Sequence, residues 1–381
     1  MKVLKKILLG LLILVVIVNL VIVISGNSYI YKALVYQLPG IDDYKIFDNR
    51  TVSAGTYIPI AEAKNYNKMT LPPVFRNYLL ESETVALLVL KNDSVCYEEY
   101  WDGYGKESLS NSFSMAKSVV SILTGIAIDE GKIKSVDQKV SDFIPEYAHG
   151  FNAQLTIKHL LTMSASFNWD ESYNSLFSKT TKEYYGRNLK KMLLNLKVTE
   201  APGKIFNYQS SNQLVLAYII EKSTGKTLSE YASEKLWKPL GAKNDALWSV
   251  DKKNGMEKAY CCFNSNARDF SRIGTLYLHN GQFNGHRIIS EEYVKKSIEP
   301  VLLKDEDGFT VDYYGYSWWL ATTDGMKIFY ARGILGQFII VVPDKNMVIV
   351  RLGKKKADRG VTPAVEYITR NVIDALKKIN P

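Results

Sequence analysis

The chain has 381 residues, 46% hydrophobic and 23% charged, which suits one large or two moderate globular domains and excludes a low-complexity or disordered chain. Its formal charge of +9 is spread out except at Lys354-Lys355-Lys356, and three of the basic residues, Lys2, Lys5 and Lys6, precede the first apolar run. That pattern predicts a solvated face and no nucleic-acid groove. The four histidines, His149, His159, His279 and His286, fall in no H-E-x-x-H or C-x-x-C spacing, so no metal or other cofactor is expected.

Ile7 to Ile24 is an apolar stretch broken only by Gly10 and Asn19, about long enough to span a bilayer as a helix. Lysines precede it and none follows until Lys32, so the positive-inside rule puts the N-terminus in the cytoplasm and the rest outside, periplasmic or at the cell surface. A cleaved signal peptide is the rival reading. The length of the run and the missing A-x-A site favour an uncleaved anchor over residues 1–26. Residues 27–80, rich in Tyr, Asn and Pro, read as an extended lead-in around the main domain.

Thr84–Leu90 and Val95–Trp101 are β-prone and flank the polar turn Lys91-Asn92-Asp93-Ser94, which predicts a hairpin. Phe113 to Asp129 reads as a helix, apolar nearly all round and therefore buried, with Gly131 as its stop. From about 135 to 300 the pattern is mostly helical: Thr156–Thr162, Leu189–Leu196, Asn212–Lys222, Leu228–Trp237, Ala267–His279 and Glu291–Ile298. Beyond 310 it turns strand-like at Tyr313–Ala321, Met326–Ala331, Gly336–Val342 and Met347–Leu352, before a last helix from about Pro363 to Lys378. Strands at both ends and helices between predict an α/β (α+β) fold. In it, an antiparallel sheet of N- and C-terminal strands (81–130 and 305–381) is flanked by helices and interrupted by a helical insertion over about 131–304.

Cys261 and Cys262 read as adjacent buried thiols, and a bridge from either to Cys96 is left open. Ser223-Thr224-Gly225-Lys226-Thr227 imitates a P-loop, but Ile220 stands where the first glycine is needed, so a surface turn is expected. No G-x-S-x-G occurs, which excludes a nucleophile elbow.

The most informative four residues are Ser114-Met115-Ala116-Lys117. A serine needs a neighbour to take its proton, and on a helix residues three apart share a face. A helix N-terminus also favours developing negative charge. Alone, the pattern equally fits a capping serine with an exposed lysine one turn on. A lysine on the first turn of a buried helix tilts the balance towards chemistry.

Further segments then follow in order: Val136-Asp137-Gln138-Lys139-Val140, Leu155 to Thr162, Pro202-Gly203-Lys204, Phe206-Asn207-Tyr208-Gln209-Ser210 and Gly333-Ile334-Leu335-Gly336-Gln337. With them the chain, from about residue 80 onward, resembles the serine hydrolases of the class C β-lactamase superfamily, in the branch of esterases and 6-aminohexanoate-dimer hydrolases. The resemblance implies Ser114 as nucleophile and Lys117 with Tyr208 as the proton-handling pair. It also implies an oxyanion hole from the backbone amides of Ser114 and Ile334, and a substrate pocket including Ser210, Trp318, Arg332 and Gly333. Ser210-Ser211-Asn212 offers a second registration, the S-x-N of class A enzymes. No K-T-G occurs; Ala331-Arg332-Gly333-Ile334 stands in its place, which moves the expectation from β-lactams towards ester, amide or peptide-like small molecules. The expected function is a membrane-tethered hydrolase working through an acyl-enzyme. The alternative is a penicillin- or cell-wall-binding module with slow or no turnover.

Overall fold

In the computed structural model, residues 1–173, 175–356 and 363–378 are described. The chain opens with helix α1 (Lys2–Ile24), α2 (Tyr29–Tyr36), strands β1 (Asp48–Val52) and β2 (Ala61–Glu62), and α3 (Pro73–Glu81). The lead-in is thus more than extended: β1 pairs antiparallel with a strand from the middle of the chain, and β2 adds a short parallel edge to the main sheet. The predicted hairpin follows as β3 (Thr84–Lys91) and β4 (Ser94–Tyr100). Asn92 and Asp93 both take left-handed backbone in its turn, the pattern that matches strand twist. β5 (Ser110–Asn111) leads into α4 (Met115–Asp129).

The middle holds α5 (Ile157–Leu161), α6 (Lys179–Tyr185), α7 (Leu189–Leu194), β6 (Ile205–Phe206), α8 (Ser211–Thr224) and α9 (Leu228–Ala232). It continues with β7 (Ala246–Val250), β8 (Phe263–Ser265), α10 (Ala267–Leu278), β9 (Gln282–Phe283), β10 (His286–Arg287), α11 (Glu291–Ser297) and β11 (Lys304–Asp305). Gly225 ends α8 in a left-handed C-cap, which accounts for the P-loop look-alike. A second, four-stranded sheet of order β1-β7-β8-β5, absent from the sequence expectation, carries β5 directly to the start of α4.

The last stretch is β12 (Trp319–Thr323), β13 (Met326–Gly333), β14 (Gln337–Val342), β15 (Met347–Gly353) and α12 (Ala364–Lys377). β12 begins at Trp319 and not at Tyr313, because the chain through Gly315 and a left-handed Ser317 does not run straight. The seven-stranded sheet has the order β12-β13-β14-β15-β3-β4-β2, so the first long strand sits against the last. Alternation along β3 and β15 sorts their side chains onto two faces. Leu88, Leu90, Val348 and Val350 join the core under α4 and α10, and Leu87, Val89, Met347 and Ile349 join the core under α3 and α12. Cys96 belongs to the second core while Cys261 and Cys262 belong to the first, so no bridge joins them. The two neighbours are instead bonded to each other, correcting the expectation of free thiols.

Candidate active site

α4 is buried from Met115 to Ala127, and its first turn brings Lys117 into the core at 1% exposure. Ser114 occupies the N-cap position, yet its side chain caps nothing. Its Oγ instead accepts a hydrogen bond from Lys117 Nζ at 2.9 Å, which rules out the plain capping reading. The residue before it, Phe113, has φ of +43°, a strained turn held by a bond from its amide to Asn111 Oδ1 at 2.9 Å. Asn111 Oδ1 also accepts from the Cys262 amide at 3.0 Å, tying this turn to the cysteine pair.

Lys117 Nζ has two further acceptors, Ser210 Oγ at 3.3 Å and the Tyr260 carbonyl at 3.1 Å. Three bonds satisfy its three donors, which is what lets an ammonium sit out of water. The ammonium also lies 5.0 Å from the centre of the Tyr208 ring. It faces that ring and makes no hydrogen bond to the Tyr208 hydroxyl, so the expected pair is adjacent but not joined. Such contacts often close only with substrate present.

Ser210 carries the arrangement one step further. Its Oγ donates to Glu171 Oε1 at 2.6 Å and its amide to Glu171 Oε2 at 2.8 Å. Glu171 also receives Trp169 Nε1 at 2.8 Å and the Tyr173 hydroxyl at 2.6 Å. Sequence reasoning missed Glu171, which lies in an irregular loop with no motif around it. Ser210 beside Lys117 fits both registrations, while Asn212, required by S-x-N, is turned inward with its Nδ2 on the Gln209 carbonyl. Burial, then the Glu171 charge, raises the Glu183 carboxyl, and burial, then Glu183, raises the Tyr260 phenol.

Ile334 lines the same cleft as Ser114, with Phe113, Tyr173, Tyr184 and Cys261. A Cβ on Gly333 would fall 2.2 Å from the Ser112 carbonyl, so only glycine lets β13 close on the turn before Ser114. The Ile334–Gly336 turn is pinned from behind by the buried Arg351, whose Nη1 donates to the carbonyls of Leu335 and Gly336 at 2.9 and 2.7 Å. Arg332 stacks on Trp319, 5.3 Å from the ring. Trp318, expected in the pocket, is instead fully buried against Tyr277 and Phe329. Its neighbour Trp319, the first residue of β12, packs on Tyr208, 5.5 Å between ring centres.

The family model described as Beta-lactamase matches residues 78–368. The 6-aminohexanoate-dimer hydrolase of Paenarthrobacter ureafaciens is 29% identical over 298 residues, covering 74% of this chain and 75% of that protein. Among solved structures, the "Putative 6-aminohexanoate-dimer hydrolase from Bacillus anthracis" superposes with a TM-score of 0.75 at 23% identity, over 89% of this chain and 92% of that one. A family VIII carboxylesterase superposes with a TM-score of 0.62 at 16% identity, over 84% and 98%. These two likenesses speak for the fold.

Proposed function

The chain belongs to the beta-lactamase family, and on that premise we propose that it is a membrane-tethered serine hydrolase cleaving an ester or amide through an acyl-enzyme on Ser114. The observation that carries the proposal is a buried lysine with one of its three hydrogen bonds on Ser114 Oγ. Ser114 Oγ attacks the substrate carbonyl and its proton passes either to the Tyr208 phenolate, with the Lys117 ammonium beside it, or to Lys117 acting as the neutral amine. The amides of Ser114 and Ile334 receive the oxyanion, and the same pair returns the proton to the departing alcohol or amine. Water then attacks the acyl-serine, releasing the acid and restoring the hydroxyl.

Esters and amides are favoured over β-lactams, since no K-T-G lysine is present to meet a β-lactam carboxylate. The 6-aminohexanoate-dimer hydrolase likeness supports an amide and the carboxylesterase likeness an ester. α1, long and apolar enough to cross a membrane, is read as the tether, with the catalytic residues outside the cytoplasm.

A fluorophosphonate probe on the detergent-solubilised full chain should label wild type and spare Ser114→Ala; equal labelling of both would reject Ser114. Steady-state turnover of short-chain p-nitrophenyl esters should exceed nitrocefin hydrolysis, and the reverse order would move the assignment to β-lactams. A stable acyl adduct by mass spectrometry without product release would favour the binding-module alternative.

A further inference from the structure

α2 carries a composition that water does not explain. Of its eight residues only Lys32 is charged. Tyr29, Ile30 and Ala33 are buried, and α2 packs on α6. The opposite side is also apolar: Tyr31, Leu34, Val35 and Tyr36 are exposed, Val35 at 71%. Lys32 turns away from that side, with its Nζ on the Ile46 carbonyl at 3.2 Å and 5.2 Å from the Phe47 ring centre. Single exposed apolar residues are normal on a protein surface, but a contiguous uncharged strip marks an interaction face.

The strip joins two places of consequence. At one end α1 finishes at Ile24 and the Tyr31 hydroxyl donates to Asn19 Oδ1 of α1 at 2.6 Å. Asn27, between the helices, accepts from Lys182 on α6 at 3.3 Å. At the other end Gln37 and Pro39 line the cleft that holds Ser114, while Leu38 between them is 72% exposed. α6 supplies Thr180, Thr181, Tyr184 and Tyr185 to the same cleft. An eight-residue helix is about 12 Å long, so the mouth lies a short step from the end of the tether.

We infer that the strip Leu34, Val35 and Leu38 rests in the lipid interface, and that the cleft takes amphiphiles from the bilayer: esters or amides whose acyl chain stays in lipid while the carbonyl reaches Ser114. The inference rests on the serine-hydrolase and tether readings above. The bilayer is the occupant because the strip is continuous with α1 and carries no charge to meet a polar partner. The cleaved bond is the one already described, with the alcohol or amine leaving and water completing the acid.

The test uses the full chain in phosphatidylcholine–phosphatidylglycerol vesicles, with p-nitrophenyl palmitate in the bilayer and p-nitrophenyl butyrate in solution. The triple variant Leu34→Ser, Val35→Ser, Leu38→Ser should lose about tenfold on the embedded ester and less than about twofold on the soluble one. Equal change on both, or none on either, overturns the inference. Leu38→Cys labelled with a small fluorophore (Cys96 is buried and the other two cysteines are bonded) gives a readout free of turnover. Nitroxide lipids should quench it, and an unquenched probe overturns the inference whatever the activities. Butyrate turnover that survives Ser114→Ala would instead sink the catalytic reading, and the Leu38 probe would still decide the membrane face.

Discussion

An ammonium group taken out of water is costly unless its hydrogen bonds are replaced, and Lys117 has all three replaced by Ser114, Ser210 and the Tyr260 carbonyl. The acceptor at Ser210 is itself directed. Because its hydroxyl proton points to Glu171, its lone pairs are left for Lys117. Glu171 is therefore a positioning residue three hydrogen bonds from the nucleophile. Glu171→Gln can keep one oxygen on the Ser210 amide but then turns an amide N–H₂ towards the hydroxyl, freeing it to rotate. We expect kcat to fall about tenfold, of the order of one charge-assisted hydrogen bond, with KM little changed. Unaltered kcat would show that Ser210 is oriented without Glu171.

At the scale of elements, the site is a junction between the start of α4 and the end of β13, and the packing tolerance there is small. Gly333→Ala places a methyl against the Ser112 carbonyl, and either the strand or the nucleophile turn must move. A loss of roughly 1–3 kcal/mol is expected from overpacking, measurable by chemical denaturation, together with a fall in kcat as the Ile334 amide shifts. Wild-type values for both would mean that the two elements are not rigidly coupled. This junction was legible in the sequence because a buried apolar helix, a serine ahead of it and a glycine closing a late strand each leave a local signature. Glu171 left none, since a loop carboxylate is indistinguishable from a solvated one until its donors arrive from Trp169, Tyr173 and Ser210. Trp318 and Trp319 were inseparable for a different reason. Register decides which packs on Tyr208, and the bend at Ser317 that precedes β12 is not visible in composition. The short strands of the second sheet, two to five residues each, fell below any periodicity.

The whole molecule is held together across sequence distance by Glu98 on β4. Its carboxylate receives Arg268 of α10 at 2.6 and 2.8 Å, Lys106 at 2.7 Å, Tyr66 of the lead-in at 2.5 Å and Tyr100 at 2.8 Å. Burial alone would raise this carboxyl, but Arg268, Lys106 and the two phenols outweigh it and hold it at about 2. A folded-state value below the unfolded one means that the unfolded chain binds more protons between the two. The network's stabilisation is therefore fully present above about pH 4.5 and is lost as pH falls towards 2. The shift corresponds to about 3 kcal/mol. In Glu98→Gln the charged partners remain without their carboxylate, so stability at pH 7 should fall by about 2–3 kcal/mol and its acid dependence between pH 5 and 2 should flatten. Denaturant unfolding of the full chain in detergent at pH 7, 4.5 and 3 checks both. Parallel wild-type and variant curves would remove Glu98 as the source of acid sensitivity. A variant that loses stability at pH 7 but keeps the wild-type slope would locate the sensitivity in another carboxylate.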